Sequence, residues 1–142
     1  MKKALIQINS YEDGVKLVNS INVFCTEFIS NIHLLLIVNQ ENIEYLVNLY
    51  GKSKDEIIKE KQKEYEQIAH SVISEFQGRF VFTWEVAVGL IGETIVQKAK
   101  EKKVDMIVLG TQQEKVTKRL VTTPIPYVAE TSDVPVLLIP LR

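Results

Sequence analysis

The residues best placed to do chemistry stand in the last third of the chain. Residues 104–110 read V-D-M-I-V-L-G, an apolar run stopped by Gly110. A polar loop, T-Q-Q-E-K-V-T-K-R-L-V-T-T, leads from there to Pro124. In α/β proteins small polar or anionic ligands sit beside such a strand-glycine-loop-helix turn, where free backbone N–H groups and the helix dipole meet them. Proline suits the first helical position, so Thr123 before Pro124 is expected to be the N-cap. Lys115, Lys118 and Arg119 lie in the same loop; they could add charge to an anion site, or simply be a solvated loop. Gln113 argues the other way, because backbone cradling of a phosphate wants a glycine's lack of side chain.

The other reactive side chains are isolated. His33 has no second His or Cys at metal-ligand spacing, so a structural role is expected; His70 falls in the middle of a helical stretch, surface or half-buried. Cys25, the single cysteine, lies on an apolar helical stripe with no activating cation near it in sequence and reads as a small hydrophobe. Trp84 reads as packing or interface. Gly89 and Gly92 give only G-x-x-G after a strand, which suits a tight turn and close packing. There is no G-x-S-x-G, H-E-x-x-H or Walker A pattern, and no carboxylate pair is placed beside the loop, so catalysis lacks a motif.

The elements that must position these residues follow from periodicity. Residues 3–9 and the unbroken apolar stretch inside 31–39 read as buried strands. Between them Leu17, Val18, Ile21, Cys25 and Phe28 mark a helix capped by Ser10. Residues 41–51 suggest a short helix closed by Gly51. Ser53 with Glu56 matches a capping box opening a long helix to about residue 77, ended by Gly78. A strand over 79–88, a helix to about 102, a strand over 105–109, a helix over 124–130 and a strand over 134–139 complete a β-α alternation. That order implies one α/β domain, residues 1–142, with a parallel open sheet and helices on both faces.

The bulk numbers agree. A length of 142 residues with 46% hydrophobic and 25% charged side chains is that of one globular domain with a substantial core. A formal net charge of -1 gives no basic surplus for nucleic acid. The longest apolar run, residues 34–38, is far too short for membrane insertion. One cysteine cannot form an internal disulfide, and a reducing, cytoplasmic setting is expected.

Over essentially its whole length the chain resembles the universal stress proteins. The most specific stretch is residues 86–110, V-A-V-G-L-I-G-E-T-I-V-Q-K-A-K-E-K-K-V-D-M-I-V-L-G, followed by the closing D-V-P-V-L-L-I-P. The resemblance implies a five-stranded parallel sheet, Rossmann-like and of the adenine nucleotide alpha-hydrolase type. It also implies a homodimer through the last strand, Val134 to Ile139, and a role in stress response. One branch of the family binds ATP through G-x2-G-x9-G-[S/T] and an Asp ending the first strand; the other lacks the loop glycines. Here Gly110 matches the first glycine, Gln113 replaces the second, and Thr122 and Thr123 stand where the third glycine and its hydroxyl neighbour belong, one residue short in spacing. Asn9 replaces the Asp, and Val38 falls at the position lining the adenine site.

Two leading functions remain open on these grounds, with a slow phosphotransfer or hydrolase activity as a third. The first is a dimeric regulatory module whose ATP binding is weak or lost. The alternative is an ATP- or AMP-binding switch using Asn9, Val38, Gly110, Gln113, Thr122 and Thr123. The dimer also has a physical argument: an apolar edge strand flanked by Pro135 and Pro140 must be covered or paired.

Overall fold

The structure is a computed structural model and describes residues 2–112 and 123–141. Chain order is β1 (Lys2–Gln7), α1 (Tyr11–Phe24), β2 (Ile29–Asn39), α2 (Gln40–Tyr50), α3 (Lys54–Glu75), β3 (Val81–Gly89), α4 (Ile91–Glu101), β4 (Met106–Thr111), α5 (Ile125–Thr131) and β5 (Val136–Pro140). The sheet order is β3-β2-β1-β4-β5 and every pairing is parallel. Two helical layers cover it, as expected for strands apolar on both faces.

On one face α1 and α3 lay Leu17, Val18, Ile21, Ala69, Val72 and Phe76 against Ile6, Ile32, Leu34 and Val108. On the other, α4 and α5 lay Ile95, Val96, Ala99 and Val128 against Leu5, Leu35, Ile37, Ile107 and Leu109. The alternation of partners along β1 and β2 is the two-residue period of a strand, read on both sides. Close approach is built in where α1 crosses α3: a Cβ on Gly14 would stand 2.7 Å from Val72 Cγ2.

The caps fix the loops that matter. Ser10 Oγ accepts from the Asp13 N–H at 3.2 Å, and Ser53 Oγ accepts from the Glu56 N–H at 3.2 Å. Gly51 closes α2 in the left-handed region at φ 64. α1 is shorter than its apolar stripe predicted. It ends at Phe24, and the Phe28 and Ile29 N–H groups both turn back to the Cys25 carbonyl. β2 therefore starts at Ile29, and Phe28 is exposed rather than on the helix's buried face. A tight turn into a strand outweighed one further turn of helix.

His33, expected in a structural role, is held between strands by two side-chain partners. It is buried on β2; Nδ1 lies 2.6 Å from Thr83 Oγ1 and Nε2 lies 2.9 Å from Glu85 Oε1. Glu85 Oε2 in turn lies 3.2 Å from Lys98 Nζ on α4. His70 is exposed on α3, its ring edge-on to Trp84 with centroids 5.1 Å apart. Among the described residues no buried side-chain N or O lacks a hydrogen-bond partner. Among them, too, no helix is long and apolar enough to cross a membrane.

Candidate functional site

The strand order reverses beside β1. The chain leaves β1 for β2 and β3 on one side, then crosses to β4 on the other. Ligands of open α/β sheets bind outside the carboxyl ends of the strands at such a switch point. Here the backbone opens there visibly. The β1–β4 pairing stops at Ile6↔Val108, while the Ile8 N–H goes to the Leu35 carbonyl of β2 at 3.0 Å. On the far side β4 stays paired with β5 through Thr111↔Pro140. The two strand ends part, and the gap is a cleft of about 360 Å³. That lies within the range of small-molecule sites, roughly 300–1,000 Å³.

Its walls are Gln7, Ile8 and Asn9 after β1, Asp13 and Leu17 of α1, and Asn39 at the end of β2. Ile91 opens α4, Leu109 to Gln112 end β4, and Thr123 to Ile125 and Leu141 complete the wall. The apolar part is Ile8, Leu17, Ile91, Leu109, Pro124, Ile125 and Leu141; the polar part is amide, hydroxyl and one carboxylate. Among the described lining residues there is no Lys, Arg or His, and the one ionisable group is the Asp13 carboxylate. Gln112 Nε2 reaches Asp13 Oδ2 at 3.4 Å and bridges the mouth between β4 and α1. Asn39 is partly committed, since its Oδ1 accepts the Glu41 N–H at 3.1 Å as the cap of α2. A neighbouring hollow of about 210 Å³ shares Asn39, Ile91, Thr123 and Pro124 and continues toward Glu93 and Tyr127.

Of the residues singled out from sequence, Asn9, Gly110 and Thr123 come together in this cleft. Val38 does not line it: the side chain is buried at 3% exposure, and the next residue, Asn39, takes the wall position. Gln113 and Thr122 lie outside the described residues, as do Lys115, Lys118 and Arg119.

Thr123 is not the N-cap. α5 is capped by Pro124, begins at Ile125, and has no side-chain cap bond. The first helical bond runs from the Val128 N–H to the Pro124 carbonyl at 3.0 Å, one residue later than a Thr123 cap requires. Pro126 falls in the first turn, where a missing N–H costs nothing. The short α5 therefore presents no hydroxyl-capped N-terminus to an anion.

Gly110 has a packing reason to be glycine. It is not in the left-handed region, which among the described glycines only Gly51 and Gly78 occupy. A Cβ there would collide with Leu141, whose Cγ would stand 2.8 Å away. The same holds for the G-x-x-G pair: a Cβ on Gly89 would stand 2.5 Å from Thr94 Oγ1, and one on Gly92 2.9 Å from Tyr127 Cδ1. Both glycines serve close packing.

Asp13, Asn39, Gln112 and Leu141 were not found from sequence as site residues. Asp13 and Asn39 had a signal, since each sits where a strand hands over to a helix. Leu141 had none, because only the β4–β5 register carries it over Gly110.

Comparison with known proteins fits this geometry. The family model described as "Universal stress protein family" matches residues 2–140. No curated protein matches the sequence. Among solved structures, the hypothetical protein MJ0577, described as a structure-based assignment of biochemical function, is similar at TM-score 0.74 and 20% identity. That match covers 98% of this chain and 95% of the other. A universal stress protein in complex with cAMP matches at TM-score 0.63 and 15% identity, over 99% and 98% of the two chains. The universal stress protein from Archaeoglobus fulgidus in complex with dAMP matches at TM-score 0.59 and 14% identity, over 98% of each. At such identities these structures share the fold with this chain.

Proposed function

From the premise that the chain belongs to the universal stress protein family, we propose that it is a dimeric regulatory module of the stress-response type. Its switch-point cleft holds an adenine mononucleotide rather than ATP. The carrying observation is the lining of that cleft: amides, hydroxyls and aliphatic side chains with one carboxylate. Such walls suit a base and a ribose. The apolar side chains stack against the base, and Asn9, Gln7 and Thr123 offer hydrogen bonds to ring and sugar edges. Against ATP stands Gln113, which occupies the place of the second loop glycine, where close backbone approach to phosphates wants no side chain. Two structures of the same fold are described as complexes with cAMP and dAMP, both mononucleotides. The dimer is proposed through β5, an edge strand.

The test is to identify what the folded protein carries. Protein purified without added nucleotide is denatured and the released small molecules are weighed by mass spectrometry, with titration calorimetry against AMP, adenosine and ATP alongside. AMP binding tighter than ATP is the expected result. ATP recovered at one per chain overturns the proposal.

A further inference from the structure

His33 and its partners lie away from the cleft and line no part of it. His33 stands in the first half of β2. The two-residue period of the strand puts its side chain on the α4 face with Leu35 and Ile37. Across the β2–β3 pairing, His33↔Thr83, two side chains of β3 reach the ring. Nδ1 lies 2.6 Å from Thr83 Oγ1, and Nε2 lies 2.9 Å from Glu85 Oε1. Lys98 Nζ holds the other carboxylate oxygen, Glu85 Oε2, at 3.2 Å. His33 is buried, whereas Thr83 is exposed, on a strand with a neighbour on one side only.

The chemistry follows from which atom donates. An ionised Glu85 accepts from Nε2, so Nδ1 keeps its lone pair and receives the Thr83 hydroxyl hydrogen. Hydroxyl, imidazole and carboxylate then stand in the order of nucleophile, base and orienting group. A purely structural partner for Nδ1 could be any donor, and a buried one would serve. The one present is a hydroxyl that faces solvent. His33 itself is 2% exposed, so water does not replace Thr83 at Nδ1. Burial lowers the His33 pKa, opposed by Glu85 and reinforced by Lys102 and Lys3, which leaves the ring neutral and able to take a proton near neutral pH.

We propose that Thr83 is a nucleophilic modification site, acylated on Oγ by reactive esters or thioesters, with His33 as general base and Glu85 as the positioning residue. Thr83 Oγ attacks the acyl carbon while its proton passes to Nδ1. The bond from the acyl carbon to the leaving oxygen or sulfur breaks, and the leaving group departs with the electron pair. The imidazolium, still bonded to Glu85 through Nε2, then gives its proton to the leaving group. The products are an ester on Thr83 and one equivalent of alcohol or thiol. The site is independent of what the cleft binds.

The probe is p-nitrophenyl acetate. Treated protein is digested, and the acetyl groups are located and timed residue by residue by mass spectrometry. Ser74 is the internal reference: it is exposed, and its hydroxyl donates to the His70 carbonyl rather than to a base. Thr83 is expected to acetylate about 100-fold faster than Ser74, the scale of general-base assistance. Its rate should rise as His33 loses its proton, below about pH 6.5, and then level off. A Thr83 left unmodified, or acetylated no faster than Ser74, overturns the proposal. So does a Thr83 rate that keeps climbing to pH 9, because hydroxide rather than the imidazole would then be taking the proton. His33→Gln is expected to bring Thr83 down to the Ser74 rate. Its removal also costs stability, so Thr83→Ser gives an arm that keeps the fold. It retains a hydroxyl for Nδ1 with less crowding and is expected to react at least as fast as wild type; a folded serine variant that does not react overturns the site. Glu85→Gln is expected to slow the reaction and to move the bend in the pH profile lower, since the carboxylate favours the imidazolium. A bend left in place would overturn the role of Glu85.

Discussion

The buried imidazole of His33 gives stability a pH-dependent part. Burial works most strongly on His33 and lowers its pKa; the neighbouring Glu85 opposes this, and Lys102 and Lys3 push the same way as burial. For Glu85 burial works upward, but the hydrogen bonds from His33 and Lys98 outweigh it and leave the carboxyl below its usual value. An ionised Glu85 can only accept, so the Nε2 of His33 carries the hydrogen and Nδ1 receives the Thr83 hydroxyl. Both shifts point down, which fixes the sign. Between the folded-state pKa and the ordinary value of about 6.5, the unfolded chain takes up a proton that the folded chain refuses. Stability is therefore fully present above that ordinary value and falls as pH drops through the window, with Glu85 adding to the loss at lower pH. Urea midpoints measured from pH 8 to pH 5 are expected to fall below about pH 6.5 in the wild type. His33→Gln is expected to be less stable at pH 8 and nearly flat over the upper part of that range. A wild-type curve that rises toward pH 5 would contradict the assignment. None of this was visible in the sequence, where His33 stood alone. Its partners are fifty and fifty-two residues away and meet it only through the β2–β3 register, His33↔Thr83.

Whole elements were more legible than single residues, because periodicity and caps are local while sites are assembled by crossovers. The five strands, the order of the helices and the Ser10 and Ser53 caps follow from patterns within a few residues. The errors sit where two local preferences compete. Phe28 continues a helical stripe, yet the chain has to turn into β2. Thr123-Pro124 matches a cap, yet the proline itself takes the cap position. Gly51 is the opposite case, where one residue settles the outcome. It closes α2 at φ 64, and nothing lies within 4 Å of a Cβ placed there, so substitution costs backbone strain alone. Gly51→Ala is expected to lower unfolding free energy by about 1 kcal/mol, the penalty of the left-handed region for a residue with a Cβ. Gly51→Asn should cost less, since Asn tolerates that conformation. Chemical denaturation of the three proteins under one condition gives the comparison; an alanine variant as stable as wild type would mean the cap relaxes without loss.

At the scale of the whole molecule the proposed dimer turns on which sheet edge is open to a second copy. The sheet has two edges, β3 and β5. β3 is guarded: Glu85 sits on it, paired with Lys98 at 3.2 Å, and a charged residue on an edge discourages strand-to-strand addition. β5 has no such guard. Its five residues, V-L-L-I-P, carry no charge, and Leu138 is 44% exposed. Val136 and Leu137 pack into opposite cores, so β5 is held firmly against β4 while its outer side is open. Pairing of β5 with β5 of a second copy would cover Leu138 and satisfy the free edge about a two-fold axis. Sedimentation at micromolar concentration is expected to show a dimer for the wild type. Leu138→Asp should shift it to monomer, because it places two carboxylates in the covered interface. Val88→Asp on the β3 edge, where Val88 is 41% exposed, should leave the dimer intact. A monomeric wild type would remove the dimer, and dissociation by the β3 change instead would move the interface to the other edge. Leu141 follows β5 directly and lines the cleft. On the proposed dimer and cleft ligand, any effect of binding on β5 pairing is matched, by linkage, by an equal effect of dimerisation on ligand affinity.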